Sequence, residues 1–227
     1  MVRKTKEAAL ATREALIDAA ERAFRRRGVT RTSLADVAAE AGMTRGAIYW
    51  HFRDKAELLD AMCSRTMLPM DAALAQAACA APADPLGTLR ALAVDALQRL
   101  ARDPHTHAVF EILFHKCELT GDLAERDADR AHGRRACLNS VEQLVQLAVE
   151  RGQLPANTDV PLAARYLHAG VGGLMHDWAG AAHEYDLGSS APALVDALIA
   201  GVRAAPPTTM EKPPARAADK VPAHGDA

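Results

Sequence analysis

The run Tyr49-Trp50-His51-Phe52 holds three of the nine aromatic residues of this 227-residue chain. Four consecutive residues point to all sides of a helix, so a protein core can bury only part of the run. Tyr49 and His51 carry hydrogen-bond donors that reach phosphate oxygens. Arg45, near the start of the same predicted helix, carries the guanidinium best suited to the O6 and N7 edge of guanine. These residue types favour contact with a polyanion.

Small residues keep this helix narrow near its N-terminus. Gly46 costs roughly 1 kcal/mol of helix propensity relative to alanine, which is understandable where a backbone must approach a partner closely. Ala47 and Ile48 are predicted to face a small core whose end is closed by Phe52. For the pair Tyr49–Trp50, packing against a neighbouring domain is the structural alternative to partner contact.

Two further positions suit phosphate groups. Lys55 is at the first position of the next predicted helix, where the helix dipole disfavours a cation by some tenths of a kcal/mol. A phosphate there would accept hydrogen bonds from the backbone N–H groups and from the ammonium. Thr32 and Ser33, at the start of the second predicted helix, offer hydroxyl and N–H donors of the same kind.

The elements that position these residues are short helices with clear boundaries. The first is predicted over Lys6–Arg27, with Leu10, Ile17, Ala20 and Phe24 on its buried stripe, and Gly28 ends it. Ser33 with Asp36, Thr44, and Asp54 with Glu57 are predicted N-caps of the next three. Gly42 ends the second helix after about two turns. This spacing is typical of a helix-turn-helix, although a generic helical bundle has similar turns.

Charge is divided unevenly along the chain. Residues 1–55 hold 12 Lys and Arg against 7 Asp and Glu, a net charge of +5, and the remainder has a net charge of −7. A basic N-terminal quarter is consistent with a polyanionic partner, and equally with a solvated basic surface.

Composition predicts an all-α protein that stays in the cytoplasm. Ala and Leu are abundant, β-branched runs are scarce, and neither a signal peptide nor a membrane span is recognisable. The four cysteines at 63, 79, 117 and 137 contain no C-x-x-C pair and are predicted to be reduced and mostly buried. A redox-sensing thiol is the alternative, which exposure and thiolate pKa would decide.

Three segments are predicted: a helix-turn-helix domain over 8–55, a larger helical domain over 56–205, and a disordered tail over 206–227, which is rich in proline. In the larger domain, Asp84-Pro85 and Asp103-Pro104 each begin a helix. Further helices are predicted over about 122–151, 161–182 and 191–204. The last two carry Leu174, Trp178, Leu194, Leu198 and Val202, which predicts a two-fold homodimer through these helices.

The N-terminal segment resembles the DNA-binding domain of the TetR family of bacterial repressors. The resemblance rests on TSLADVA at 32–38, AGMTRGAIYWHF at 41–52 and K-x-E-L at 55–58. VRKTKE at 2–7 and EIL-x-HKCE at 111–118 further resemble the AcrR-like branch, which represses multidrug efflux operons. By that resemblance Thr44 and Arg45 would read bases of operator DNA. Thr32, Ser33, Tyr49, His51 and Lys55 would hold phosphates, with Gly46 and Trp50 on the same surface.

The resemblance also implies a cavity for a small lipophilic inducer in the larger domain. Gly170-Val171-Gly172-Gly173 interrupts a helix with almost no side-chain bulk, which indicates either a close helix approach or room for a ligand. Polar side chains often stand near the positions of Phe110, Phe114 and Gly172 in AcrR-like regulators, so this pocket is expected to be more apolar. The residues assigned to it are Leu89, Leu92, Ala96, Phe110, Leu113, Phe114, Cys137, Val141, His168, Val171, Gly172 and Met175.

Other functions are less well supported by the residues. Within His105-x-His107, and within His115-x-Cys117, the two side chains point about 200° apart around a helix, so neither pair chelates a metal easily. Neither a metal nor a cofactor is expected. There is no G-x-S-x-G and no phosphate-binding glycine loop, so an all-helical enzyme with a catalytic site is the weak rival. A DNA-binding dimer without any small-molecule ligand is the stronger one.

Overall fold

The computed structural model describes residues 2–118, 127–180 and 184–208, with side chains described for 6–118, 133–180 and 184–208. Over these residues the fold is all-α, as the composition predicted. The α-helices are α1 (Val2–Arg27), α2 (Leu34–Glu40), α3 (Arg45–His51), α4 (Lys55–Cys79), α5 (Pro85–Arg102), α6 (Pro104–Glu111), α7 (Asp127–Glu150), α8 (Val160–Gly180) and α9 (Leu187–Ala204). A π-helical turn, π1 (Ile112–Lys116), continues α6. None of the described helices is long and apolar enough to cross a membrane.

The boundaries of α1 to α4 are set by the residues that the sequence indicated. Gly28 and Gly42 adopt φ of +79° and +67°, a left-handed backbone that glycine reaches without a Cβ clash. Ser33 and Asp36 form a reciprocal capping box at the start of α2. The Thr44 side chain accepts a hydrogen bond from the N–H of Ala47, and α3 begins there. The Asp54 side chain accepts from the N–H of Glu57 at the start of α4, so the three predicted N-caps of α2, α3 and α4 are confirmed.

The DNA-binding head predicted over 8–55 does not close its own core. Leu58, Leu59 and Met62 of α4 are buried in the same cluster as the apolar side chains of α1 to α3. Val109 of α6 and Ile112 of π1 complete that cluster, and both are fully buried. The predicted boundary at 55–56 therefore lies inside a packed unit, because α4 runs without interruption from the head into the larger body.

The body is built from the second half of α4 and from α5 to α9. Its helices α5 and α9 pack along each other, and α7 lies against α4, α5 and α8. Asp84 and Asp103 cap α5 and α6 just before a proline, as predicted. One core of buried leucines, valines and alanines joins these helices.

Several predicted details differ in the structure. Leu10 is 52% exposed, because the buried stripe of α1 begins at Leu16. The seventh and eighth helices have the predicted extents where they are described, whereas 119–126 and 181–183 lie outside the described residues. The ninth helix begins at Leu187 because Asp186 caps it. At the start of the predicted tail, the Pro207 carbonyl accepts a hydrogen bond from the N–H of Asp159, and 209–227 lie outside the described residues.

Two predictions about burial are wrong. Trp178 and Val202, which are predicted to lie on the dimer surface, are 7% and 1% exposed and belong to the body core. The Trp178 indole N–H donates to the Tyr185 carbonyl at 3.1 Å. Of the four free cysteines only Cys63 is buried; Cys117 and Cys137 are half-buried and Cys79 is exposed.

The glycines of α8 serve both purposes that the sequence left open. A Cβ atom on Gly170 would lie 2.6 Å from Leu198 Cδ2, so this glycine allows α8 and α9 to approach closely. A Cβ atom on Gly172 would meet no atom within 4 Å. Gly172 therefore faces open space, and of these two glycines only Gly170 is required by helix packing.

Alanine at these two positions should have different effects on stability. Both changes gain up to about 1 kcal/mol of helix propensity, but only Gly170→Ala pushes against Leu198. We expect Gly172→Ala to raise the free energy of unfolding by about 0.5–1 kcal/mol, and Gly170→Ala to be less stable than Gly172→Ala by about 1 kcal/mol. Urea unfolding of the two variants checks this, and equal stabilities would contradict the close approach at Gly170.

Candidate nucleic-acid interface and ligand site

Helix α3 divides its side chains between the head core and solvent. Ile48 and the C-cap residue Phe52 are buried at 0% and 1% exposure, as predicted. Tyr49 is 47% exposed and Trp50 is 73% exposed. Exposure of this size excludes the alternative in which the Tyr49–Trp50 pair packs against the body, and leaves the outer face of α3 open.

Arg45 and Tyr49 form one surface on that face. The Arg45 guanidinium carbon lies 5.5 Å from the centroid of the Tyr49 ring, a cation–π contact across one helical turn. A Cβ atom on the exposed Gly46 would meet only the Thr44 Oγ1, at 3.9 Å. The N-terminal end of α3 is therefore narrow and carries one long donor held by a neighbouring ring.

His51 is on the edge of the same surface. Its ring packs edge-on against Trp50, with centroids 4.6 Å apart. Partial burial lowers the pKa of His51 below its ordinary value, and the nearby charge of Arg13 lowers it further. The Arg13 guanidinium itself lies over the Phe52 ring, 5.1 Å from its centroid. His51 thus offers a neutral imidazole donor beside a cation at neutral pH.

The other predicted phosphate contacts have local roles in the structure. Thr32 is 1% exposed and its hydroxyl donates to the Gly28 carbonyl at 2.8 Å, so this side chain does not face a partner. The exposed Ser33 hydroxyl donates to the carboxylate of Asp36 at 2.6 Å. Lys55 Nζ donates to the carbonyls of Val29 and Thr30, at 2.7 and 3.0 Å. The Thr32 and Ser33 contacts are local, whereas sequence patterns could not reveal the tertiary contacts of Lys55. Because it is buried, Thr32 is removed from the candidate surface.

An aromatic cluster connects α6 and π1 with α8. The rings of Phe110 and Phe114 lie 5.6 Å apart, and Phe114 lies 5.0 Å from His176. The His115 ring lies 4.8 Å from the His176 ring, and its Nε2 donates to the His176 carbonyl at 3.1 Å. Phe114 is 36% exposed, so the cluster is open on one side.

A polar cluster lies where α4, α7 and α8 meet. The Cys137 thiol is hydrogen-bonded to the Asp71 carboxyl group, and the charge of His168 acts on the same carboxyl. Burial raises the pKa of Asp71, and it raises the pKa of Cys137 to about 11. Desolvation lowers the pKa of His168, against the opposing effect of Asp71. Because the thiol is protonated at neutral pH, Cys137 is a poor redox sensor.

Along α8, Gly172 and the open space beside it lie between His168 of the polar cluster and His176 of the aromatic cluster. His168, Gly172 and His176 follow each other at intervals of four residues, so they share one face of the helix. The sequence prediction missed His176, His115 and Asp71. For Asp71 the sequence offered a signal, because it is an acidic residue within an otherwise apolar stretch. For His115 and His176 it offered none, because only the packing of π1 on α8 brings them together.

The remaining predicted ligand residues separate into three groups. Leu89, Val141 and Met175 are buried in the body core, and Ala96 and Val171 pack against it. Leu92 is half-buried. Leu113 packs against the head core instead, because π1 turns it away from Phe110 and Phe114, so its assignment to the pocket is withdrawn.

Among the described residues, no group of three His, Cys, Asp or Glu side chains could hold a metal ion. His105 is engaged by Glu21, and His115 by the carbonyl of His176.

Comparison with known proteins decides the family. Residues 16–62 match the family model of bacterial regulatory proteins of the tetR family, and residues 84–203 match that of the MAATS-type transcriptional repressor C-terminal region. The chain belongs to the TetR family of transcriptional regulators. It is 44% identical over 178 residues to the HTH-type transcriptional regulator TtgR of Pseudomonas putida, covering 78% of this chain and 85% of TtgR.

Solved structures of TetR regulators have the same fold. The chain is similar to NalD, the secondary repressor of the MexAB-OprM multidrug efflux pump of Pseudomonas aeruginosa, with a TM-score of 0.78, 33% identity, and coverage of 85% of this chain and 97% of that one. It is also similar to SmeT, the repressor of a Stenotrophomonas maltophilia multidrug efflux pump, in its complex with triclosan. That TM-score is 0.76, with 31% identity and coverage of 89% and 100%. The protein is a TetR-family transcriptional repressor related to efflux-pump repressors, and the rival interpretation as an enzyme is set aside.

Proposed function

We propose that this repressor binds a palindromic operator as a homodimer, in the cytoplasm, and is released from it by a lipophilic drug-like molecule. The genes it controls would encode a multidrug efflux pump, as the names of NalD and SmeT state for those two proteins. The observation that carries the proposal is the open face of α3, where Arg45, Gly46, Tyr49 and Trp50 are exposed on a well-packed head.

The proposed contacts with DNA follow from the shape and chemistry of this face. The narrow N-terminus of α3 enters the major groove, and Arg45 and Thr44 reach base edges. Tyr49, Trp50 and His51 lie along the phosphate backbone, where their O–H and ring N–H groups donate to phosphate oxygens. Ser33 and Lys55, at the starts of α2 and α4, remain proposed phosphate contacts beside their local hydrogen bonds.

Arg45→Ala should reduce operator affinity by about 1–3 kcal/mol and flatten the preference among half-site variants. Arg45→Lys should retain the charge but lose the paired hydrogen bonds to guanine, so base preference should fall while the salt dependence stays. Fluorescence anisotropy with operator and scrambled duplexes measures both. Arg99→Ala, an exposed arginine of α5 paired with Asp95, is the matched control. Unchanged base preference in Arg45→Ala would mean that α3 is not the reading helix.

Lys55→Ala should weaken all duplexes about equally and reduce the salt slope by about one. Because Lys55 Nζ also holds the Val29 and Thr30 carbonyls, thermal unfolding of this variant is needed beside the binding curves. A uniform loss of affinity without the change in slope would indicate loop disorder rather than a lost phosphate contact.

The proposed dimer surface combines α8 and α9. Leu162 and Tyr166 are 48% and 42% exposed and stand one turn apart on α8. Tyr166 reaches across to α9, where a Cβ atom on Gly201 would lie 2.7 Å from its hydroxyl oxygen. With the close approach at Gly170, α8 and α9 lie side by side and bring Leu162 and Tyr166 to the edge of a shared surface. A four-helix contact of two such faces would place two heads for a two-fold operator.

Leu162→Asp combined with Tyr166→Asp should convert the dimer into a monomer and lower operator affinity. Both side chains are exposed, so the fold of each chain should remain. Light scattering at micromolar concentration measures the mass, and Leu68→Asp, at an exposed leucine of α4, is the control. A wild-type protein that is monomeric with full operator affinity would refute the dimer.

A ligand near the aromatic cluster would act on the head through α6 and π1. Phe110 belongs to the body core, whereas its neighbour Val109 is buried in the head core. At the end of π1 the Lys116 carbonyl accepts a hydrogen bond from the N–H of Val29 at 2.9 Å. The Val29 carbonyl in turn accepts from Lys55 Nζ. A ligand that displaces Phe114 would therefore move a segment directly bonded to the head.

Helix α4 is a second route by which a bound ligand would act on the head. It carries Asp71 on the ligand side and begins at Lys55 in the head. Operator binding requires two recognition helices about 34–36 Å apart. A ligand that prefers a splayed arrangement by ~1.4 kcal/mol lowers operator affinity tenfold, and by linkage the operator weakens the ligand by the same factor.

Gly172→Leu should block an apolar inducer while operator binding stays near normal, because its side chain would fill the open space beside α8. Gly172→Ala, which fills little of that space, is the graded control. Calorimetric titration of triclosan into free and operator-bound protein measures the coupling. Equal triclosan affinity in free and operator-bound wild type would favour a regulator without this kind of ligand. Unchanged triclosan affinity in Gly172→Leu would mean that triclosan binds at a different place on the protein.

A further inference from the structure

Glu21 of α1 is a buried carboxylate at the junction of head and body. Glu21 as a whole residue is only 7% exposed. His105, in the first turn of α6, places Nδ1 3.0 Å from Glu21 Oε2 and 3.3 Å from Oε1. Arg65, in the middle of α4, places Nη2 3.4 Å from the same Oε2. One acid of α1 is therefore held by one cation from α4 and one from α6.

The surrounding charges make His105 the titratable member of this group. Arg65 also contacts Asp18 at 2.7 Å and Glu14 at 3.3 Å, so α1 offers it three carboxylates. The hydrogen bond and charge of Glu21 raise the pKa of His105 above its ordinary value of 6.5, and Asp18 raises it further. Desolvation and Arg65 oppose this increase.

The same imidazole acts on the N-cap of its own helix. Burial acts to raise the pKa of Asp103, but hydrogen bonds from Thr106 and from the His105 N–H lower it below its ordinary value, and the charge of His105 adds to that decrease. The N–H of His105 also donates to that carboxylate, at 3.2 Å.

We propose that Glu21, Arg65 and His105 form a pH-dependent clamp between α1 and the body, which protonation of His105 closes and which favours the operator-binding arrangement. The inference rests on the proposed release mechanism, in which α6 or α4 must shift relative to α1. Such a shift separates Glu21 from at least one of its two cations. Protonated His105 adds a charged hydrogen bond that opposes the shift, and neutral His105 leaves Arg65 alone to hold Glu21.

The direction of the pH dependence follows from the raised pKa. A histidine whose pKa is higher in the folded protein stabilises the fold fully below its unfolded value of about 6.5. That contribution is lost as the pH rises through the higher folded value. The His105 contribution to the clamp is therefore present at pH 6.0 and declines towards pH 8.5, where Arg65 alone holds Glu21.

The clamp can be tested first without DNA. NMR titration of His105 should give a pKa above 6.5 that falls towards that value in Glu21→Gln. In thermal unfolding, wild type should exceed His105→Gln by about 1–3 °C at pH 6.0 and match it at pH 8.5. His105→Arg, which keeps its charge, should exceed His105→Gln at both pH values. An unshifted His105 titration, or one that Glu21→Gln leaves in place, would overturn the clamp whether or not the protein binds an operator.

Operator affinity of the same three proteins then tests its functional direction. Anisotropy titrations should show wild type resembling His105→Arg at pH 6.0 and His105→Gln at pH 8.5, with the two variants differing by about two- to five-fold in affinity. Effects of pH on the DNA surface, including His51, are common to all three proteins and cancel in this comparison. A wild type that stays parallel to His105→Gln at both pH values overturns the functional part. Absence of specific binding in all three would refute the proposed function instead.

Discussion

The structure depends on one shared interface, where α6 and π1 complete the core of the head. A three-helix unit of about fifty residues buries a smaller fraction of its surface than a larger domain does. Here the deficit is met by Val109 and Ile112 from the body and by the first half of α4. The head can therefore pack well only while these segments are in place. Any force that moves α6 acts on the head core as well as on the body core.

This arrangement explains why polar contacts gather at the junction. Apolar packing holds α6 against the head without strong orientation, since the hydrophobic effect is not directional. The backbone hydrogen bond from Val29 to the Lys116 carbonyl and the ion pairs around Glu21 supply direction. A further pair joins Arg25 of α1 to Glu111 at the end of α6, at 2.8 Å. Partly exposed pairs of this kind contribute little to stability singly, but they restrict the angle between the two units.

The body shows a similar division between packing and open space. On α8, Gly170 is needed for contact with Leu198, whereas Gly172 faces a region without side-chain atoms nearby. The aromatic rings around Phe114 and the acid at Asp71 approach this face of α8 from different helices. This face is less apolar than the sequence predicted, because His168 and His176 lie on it, yet aromatic rings beside a few polar groups suit a lipophilic molecule. Its polar groups come from residues that are widely separated along the chain.

Local sequence determined the helices and the face of α3 that carries Arg45. It also determined the helix boundaries, with caps at Ser33, Thr44 and Asp54 and ends at Gly28 and Gly42. Caps, left-handed turns and helical periodicity act over a few residues, so they can be recognised without the fold. The family also followed from the motif at 41–52. Only the tertiary structure decided that Lys55 bonds to the Val29 and Thr30 carbonyls, that Trp178 is buried while Trp50 is not, and that Glu21 meets His105 across 84 residues. These outcomes depend on which distant surfaces meet, and helical periodicity gives the buried face of a helix without identifying its partner.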